Sequence, residues 1–245
     1  MEKDFYLQER QRELGGTQES LKSYTARTYL LMGLGLLITF AVAWFFSQTY
    51  YGVYALAYSF YHVSFLHIIL LVAELALVLA MTSFLHKMSV GAAVACFVLY
   101  AALTGLTFTV YFLLYDLESM ILVFGGTALY FGGMAAFGHF TWVDLTRRRN
   151  LLLGGLGFLI LANVLMMLLP GLQIWEQVMC SIGIVVFLGY TAYDAQRVRE
   201  FYEIYQDDPD MLNRASIYSA LGLYLDFVNL FLYLLRLFAR QRNRK

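Results

Sequence analysis

The sequence predicts an all-α fold, a polytopic membrane protein built as a bundle of seven transmembrane helices, and three observations carry that reading. Of 245 residues, 60% are hydrophobic and only 14% charged, with a mean hydropathy of +0.63, whereas soluble domains carry roughly 25% charged residues. Seven apolar stretches approach the length of about 20 residues that a helix needs to cross a bilayer. Only two prolines occur, Pro170 and Pro209, both between those stretches, and no strand-type alternation persists, which argues against a barrel.

Residues 1–27 mix Glu2, Lys3, Asp4, Glu9, Arg10, Arg12 and Glu13 before any apolar run. A secretory signal would be basic and then apolar from the start. This segment is expected to be a cytosolic tail, with the first span serving as its own uncleaved insertion signal. The transmembrane domain is expected over residues 28–238, with spans at Thr28–Phe46, Phe65–Leu85, Val90–Leu113, Ser119–Phe140, Leu151–Leu169, Ile174–Tyr193 and Ala215–Phe238. Residues 239–245 form a basic C-terminal tail.

Charge sets the orientation. Lys and Arg fall before span one (Lys3, Arg10, Arg12, Lys22, Arg27), between spans two and three (Lys87), between four and five (Arg147, Arg148, Arg149) and between six and seven (Arg197, Arg199, Arg214); the other three loops have none. The positive-inside rule places the N-terminus in the cytosol. Seven spans then put Arg240, Arg242, Arg244 and Lys245 outside. A re-entrant last segment would keep them in the cytosol, but Ala215–Phe238 is long enough to cross.

The segment after span one, SQTYYGVYALAYSFYHVS, reads as an interfacial aromatic belt. In span four, Ala128, Gly132 and Ala136 recur every four residues and suggest a small-residue face for close packing. Cys96 and Cys180 lie in apolar runs and read as small buried hydrophobes. The zero net charge excludes nucleic-acid binding by a basic field. No cofactor motif is present.

Ionisable residues inside the spans are the informative signal, because a charged Asp at a helix centre costs about 2.5–3.5 kcal/mol on insertion scales. Asp226 stands well inside span seven, with Ser219, Gly222, Asn229 and Tyr233 at −7, −4, +3 and +7. They form one polar or small stripe on an apolar helix, which belongs at the bundle centre as a pathway lining or as an interhelical hydrogen-bonding seam. Asp194 closes span six, one turn before Arg197, where a simple boundary ion pair is the alternative. The two aspartates lie on consecutive helices, which usually neighbour one another. Their depths match only if span seven starts as helix in the cytosol and span six continues outward through Val198, Phe201, Tyr202 and Tyr205. Two carboxylates in one low-dielectric site resist double ionisation and titrate as a unit. Opened, they offer weak oxygen ligands of the kind Ca²⁺ accepts. Glu74, in the middle of span two, is expected to pair with Arg236, the one arginine embedded in an apolar run, and so to hold span two against span seven.

At these residues the sequence resembles the Bax inhibitor-1 family, also called the transmembrane Bax-inhibitor-motif family. The resemblance rests on YDAQ closing span six, ALGLYLDFVNLFLYLLRLF as span seven, GGTALYFGGMAAFGHFTWVDL in span four and AELALVLAM around Glu74. It covers residues 25 to 238, and the lean loops are similar to the bacterial branch. It implies a seven-helix fold with the last helix central, residence in a bacterial plasma membrane, and an aspartate pair that senses pH and gates a Ca²⁺ leak. Those roles would fall on Asp194 and Asp226, with calcium as permeant ion. Some members carry an arginine at the inner end of span two that pairs with the first aspartate. Leu85 takes that place here, followed by His86 and Lys87.

Two other classes compete. One is a membrane interaction protein that regulates a partner such as a membrane-bound protease or a stress pathway. The other is an intramembrane aspartyl protease, which also places aspartates on helices six and seven. Its second aspartate follows Gly-x-Gly, whereas Gly222, Leu223, Tyr224 and Leu225 precede Asp226 here, and its Pro-Ala-Leu motif is absent. The sequence therefore reads as a non-enzyme.

Overall fold

A computed structural model of the protein describes residues 19–49, 54, 65–84, 87–169 and 175–238. Most of the N-terminal tail, residues 50–64 of the tyrosine-rich segment (Tyr54 excepted), Leu85 and His86, residues 170–174, and the C-terminal tail lie outside the described residues.

Among the described residues seven long helices follow one another: α1 (Leu21–Gln48), α2 (Phe65–Phe84), α3 (Val90–Leu114), α4 (Leu117–Phe140), α5 (Arg149–Leu168), α6 (Glu176–Tyr205) and α7 (Pro209–Phe238). Six are long and apolar enough to cross a membrane, and α2 adds a shorter apolar stretch, Ile69–Phe84. The chain is an all-α polytopic membrane protein.

Local chemistry sets the ends. Ser20 and Ser89 cap α1 and α3, accepting from the backbone N–H of Ser23 and Ala92. The α6–α7 connection is only residues 206–208. Asp208 accepts from the N–H of Met211 at 3.0 Å, and Pro209 supplies a first-turn residue that needs no N–H partner. A short 3₁₀ turn, Thr146–Arg148, precedes α5. Asp144 accepts there from the Thr146 hydroxyl, the Thr146 backbone and Arg147, and these bonds, the hydroxyl first, hold its carboxyl below the ordinary range.

The last helix is central. α7 packs against α6, α1, α4 and α3, and buries residues all along its length, from Leu212 to Leu235. Several polar side chains of α1 and α7 pair inside the bundle: Thr39 with Tyr224 at 2.6 Å, Thr28 with Ser216 at 2.9 Å, and Arg27 with Asn213. These bonds tie α1 to α7. α2 leans on α3, and α5 on α6.

The small face of α4 is not the one the sequence suggests. Ala128, Gly132 and Ala136 are exposed, and a Cβ at Gly132 would meet nothing within 4 Å. The buried stripe is Thr127, Phe131, Ala135 and Gly138. At Gly138 a Cβ would collide with the backbone of Ala192 on α6, so this glycine sets the α4–α6 approach. Glycines at lipid-facing positions produce the same sequence periodicity without making a contact.

Gly138→Ala should therefore destabilise the protein by about 1–3 kcal/mol through overpacking against backbone, despite the helix propensity of Ala. Gly132→Ala should be neutral or stabilising. Thermal unfolding in detergent checks both, and equal effects at the two positions would contradict this packing.

Candidate functional site

Both helices that carry the aspartates are longer than the membrane requires. α6 and α7 have 30 residues each, or about 45 Å at 1.5 Å per residue, against a hydrocarbon core of about 30 Å. The extensions meet the condition on which the sequence reading hung. α7 begins six residues before Ala215, α6 runs on to Tyr205, and Asp194 comes level with Gly222, near the middle of α7.

Glycine 222 makes the meeting close. A Cβ built there would lie 2.5 Å from Oδ2 of Asp194, so the Asp194 carboxyl rests on the bare backbone of α7, one turn before Asp226. Both aspartates line one cavity of about 480 Å³. Asp226 is buried, and its Oδ2 has no hydrogen-bond partner among the described residues.

Of the stripe on α7, Ser219, Gly222 and Asn229 also line the cavity. The Asn229 side chain donates to its own helix, at Leu225 O. Tyr233 does not join them. Its ring fills the space over Gly183, and its hydroxyl accepts from Asn163 at 3.3 Å. At +7 from Asp226 it lies about 10 Å further along the helix, where α6 and α5 close over it.

The expected Glu74–Arg236 ion pair is not formed. Glu74 accepts a 2.8 Å hydrogen bond from Thr107 on α3. Arg236 lies over the Tyr233 ring, 5.1 Å from its centroid. Glu74 thus bonds to a hydroxyl on the adjacent helix, while Arg236 rests on an aromatic face of its own helix with its Nε unpartnered among the described residues.

Two further contributors stand beside the aspartates: Arg197, read from the sequence only as a possible boundary ion pair, and Gln196, which the sequence did not single out. Arg197 makes no ion pair within 4.0 Å of Asp194; its guanidinium lies over Phe201 at 4.7 Å and Tyr218 at 5.2 Å, with Tyr193 at 6.0 Å. It is a cation held in an aromatic cage at the rim of the cavity, beside Arg149. The signal was present as Tyr193, Arg197 and Phe201 at four-residue spacing. Gln196 is buried, donates to Val143 O and accepts from Leu145 N, both at 2.8 Å. It clamps α6 to the segment after α4 and so fixes the rotation that aims Asp194 at α7.

No group of three or more metal-ligating side chains exists among the described residues. The aspartates can hold a cation only weakly, with water completing the shell.

Residues 21–243 match the model of a family described as inhibitor of apoptosis-promoting Bax1. The chain is 39% identical to the inner membrane protein YbhL of Escherichia coli K12 over 223 residues, 91% of this chain and 93% of that protein. It is also 39% identical over 224 residues to an uncharacterized protein of Borreliella burgdorferi, covering 90% of this chain and 93% of the other. A Deinococcus radiodurans protein is 36% identical over 221 residues, covering 90% and 92%.

Gly222→Ala should push the Asp194 carboxyl off α7 and lower stability by about 1–3 kcal/mol. In an Asp194→Ala background the same change should cost little, because the clashing atom is gone. A double-mutant cycle by thermal unfolding measures this, and additive losses would mean the two residues do not touch.

Proposed function

The chain belongs to the Bax inhibitor-1 family, and on that footing we propose that it is a Ca²⁺ leak channel whose conductance is set by one proton shared between Asp194 and Asp226. The observation that supports this most is the common cavity: two carboxyls from adjacent helices, one of them with a buried oxygen that has no hydrogen-bond partner among the described residues. A buried carboxyl with no donor favours the protonated form or a bound cation over a bare charge.

The mechanism follows from the two protonation states. With one proton on the pair, a carboxylic acid can donate to its neighbouring carboxylate and hold α6 to α7. Without it, two like charges in a low-dielectric cavity repel. Separation widens the cavity and leaves two anionic oxygens for a passing divalent cation. Such a site is weak, as conduction requires, because an ion must leave as readily as it enters. Arg197 and Arg149 at the rim oppose cation entry, and their distance from the carboxyls sets how much.

The charge asymmetry of the loops puts the N-terminus and the rim of the cavity in the cytosol, in a bacterial plasma membrane. The chemistry needs no cofactor and no bond-breaking step, so we assign no enzymatic activity.

The sign of the pH response is fixed by this scheme. Ca²⁺ flux in liposomes should rise as pH climbs from about 5 to 8, the range in which a coupled carboxyl pair can exchange its proton. Asp194→Asn and Asp226→Asn should each flatten the response, since a single carboxylate has no partner to share with or repel. Folded variants that keep the full wild-type pH dependence would remove the aspartates from the mechanism and favour regulation of a membrane partner instead.

A further inference from the structure

On the far side of α7 from the aspartates, α1 and α4 both pack on the central helix but barely on each other. The gap is a slot of about 590 Å³, floored by Phe227, Val228 and Phe231 of α7 and walled by apolar side chains such as Leu37 of α1 and Ile121 of α4. Gly33 deepens the α1 wall: a Cβ there would meet nothing within 4 Å. Several wall residues are largely exposed toward the surrounding bilayer, among them Leu30, Leu37 and Ile121.

At the end of the bundle away from Arg147, Arg148 and Arg149, the slot adjoins a second cavity of about 350 Å³ that shares Phe112 and Leu117 with it. This one is polar, lined by Ser47, Gln48, Tyr115 and Asp116. Asp116 sits at the N-cap of α4, but its side chain makes no capping bond and pairs with no cation among the described residues. No Lys or Arg lines either cavity among the described residues.

We propose that the two cavities form one binding site for a phospholipid with an ammonium headgroup. An acyl chain lies between α1 and α4 against the phenylalanines of α7. The ammonium reaches the Asp116 carboxylate, and the Gln48 amide N–H donates to the phosphate. The apolar-to-polar gradient along the groove matches the gradient along a membrane lipid, and an opening toward the hydrocarbon is filled by acyl chain because water has no partners there. The unpaired carboxylate, with no basic side chain beside it, selects ammonium over a purely anionic headgroup. A lipid bound there would wedge α1 from α4 and bear directly on α7, independently of what the aspartates do.

The full-length protein, delipidated in mild detergent, can be mixed with equal amounts of phosphatidylethanolamine and phosphatidylglycerol and examined by native mass spectrometry. Wild type should retain one phosphatidylethanolamine per chain, preferred by about threefold to fivefold, as one partly exposed charge pair allows. Gly33→Leu fills the slot and removes a helix-interior glycine, so it should lose the adduct while melting no lower than wild type. Leu37→Trp, at an exposed wall position, is a second blocking variant and should lose the adduct too. Asp116→Asn should keep a lipid but bind the two headgroups alike. Equal retention of both lipids by wild type would overturn the proposal. So would a full phosphatidylethanolamine adduct on folded Gly33→Leu and Leu37→Trp, or a second copy of the chain occupying the face in place of lipid.

Discussion

A carboxyl group held inside an apolar bundle without a hydrogen-bond donor is the constraint on which this structure turns. Asp226 cannot face lipid, where a charge costs about 2.5–3.5 kcal/mol on insertion scales. The helix that carries it must therefore be enclosed by others. α7 packs against α1, α3, α4 and α6, and these bury Ser216, Ser219 and Tyr224 together with the aspartate. Most of the polar groups this brings inside find partners, as in the Thr39–Tyr224 and Thr28–Ser216 bonds. Asp226 Oδ2 does not. The remaining demand falls on whatever the cavity admits: a proton, a cation or water.

Helix length and glycine placement convert that demand into a two-residue site. Helices trimmed to the bilayer would leave Asp194 at the boundary and Asp226 far below it. The long α6–α7 hairpin removes the offset, and Gly222 removes the side chain that would keep Asp194 from the α7 backbone. Gln196 fixes the rotation of α6 by holding Val143 and Leu145. Arg197 is drawn by three aromatic rings to the cavity rim instead of onto the aspartate, which leaves the carboxyl available to its partner.

Hydrophobicity and helical period made the bundle readable from sequence, because a bilayer allows few alternatives to a spanning helix. The stripe beside Asp226 marked α7 as central for the same reason. Ser219, Gly222 and Asn229 share a cavity with it, whereas Tyr233 sits too far along the helix and packs over Gly183. Pairing by charge alone failed for Glu74 and Arg236, since Thr107 and the Tyr233 ring were nearer alternatives that the chain order does not reveal. The α4 periodicity was real but ambiguous: Gly132 faces outward and Gly138 makes the contact. Spacing identifies a face without saying what covers it. Side-chain choices of partner are decided by packing between helices distant in sequence, and that is where the reading from sequence ran out.

The central claim is that Asp194 and Asp226 hold one proton between them. Infrared difference spectroscopy of the protonated carboxyl stretch, recorded against pH in the lipid-reconstituted protein, reads that proton directly. The account predicts a carboxyl band that titrates in wild type, and whose position and midpoint both shift when either aspartate is replaced by asparagine, because each residue sets the other's protonation. A band for one aspartate that keeps its position and midpoint after the other is removed would show two independent acids and contradict the account.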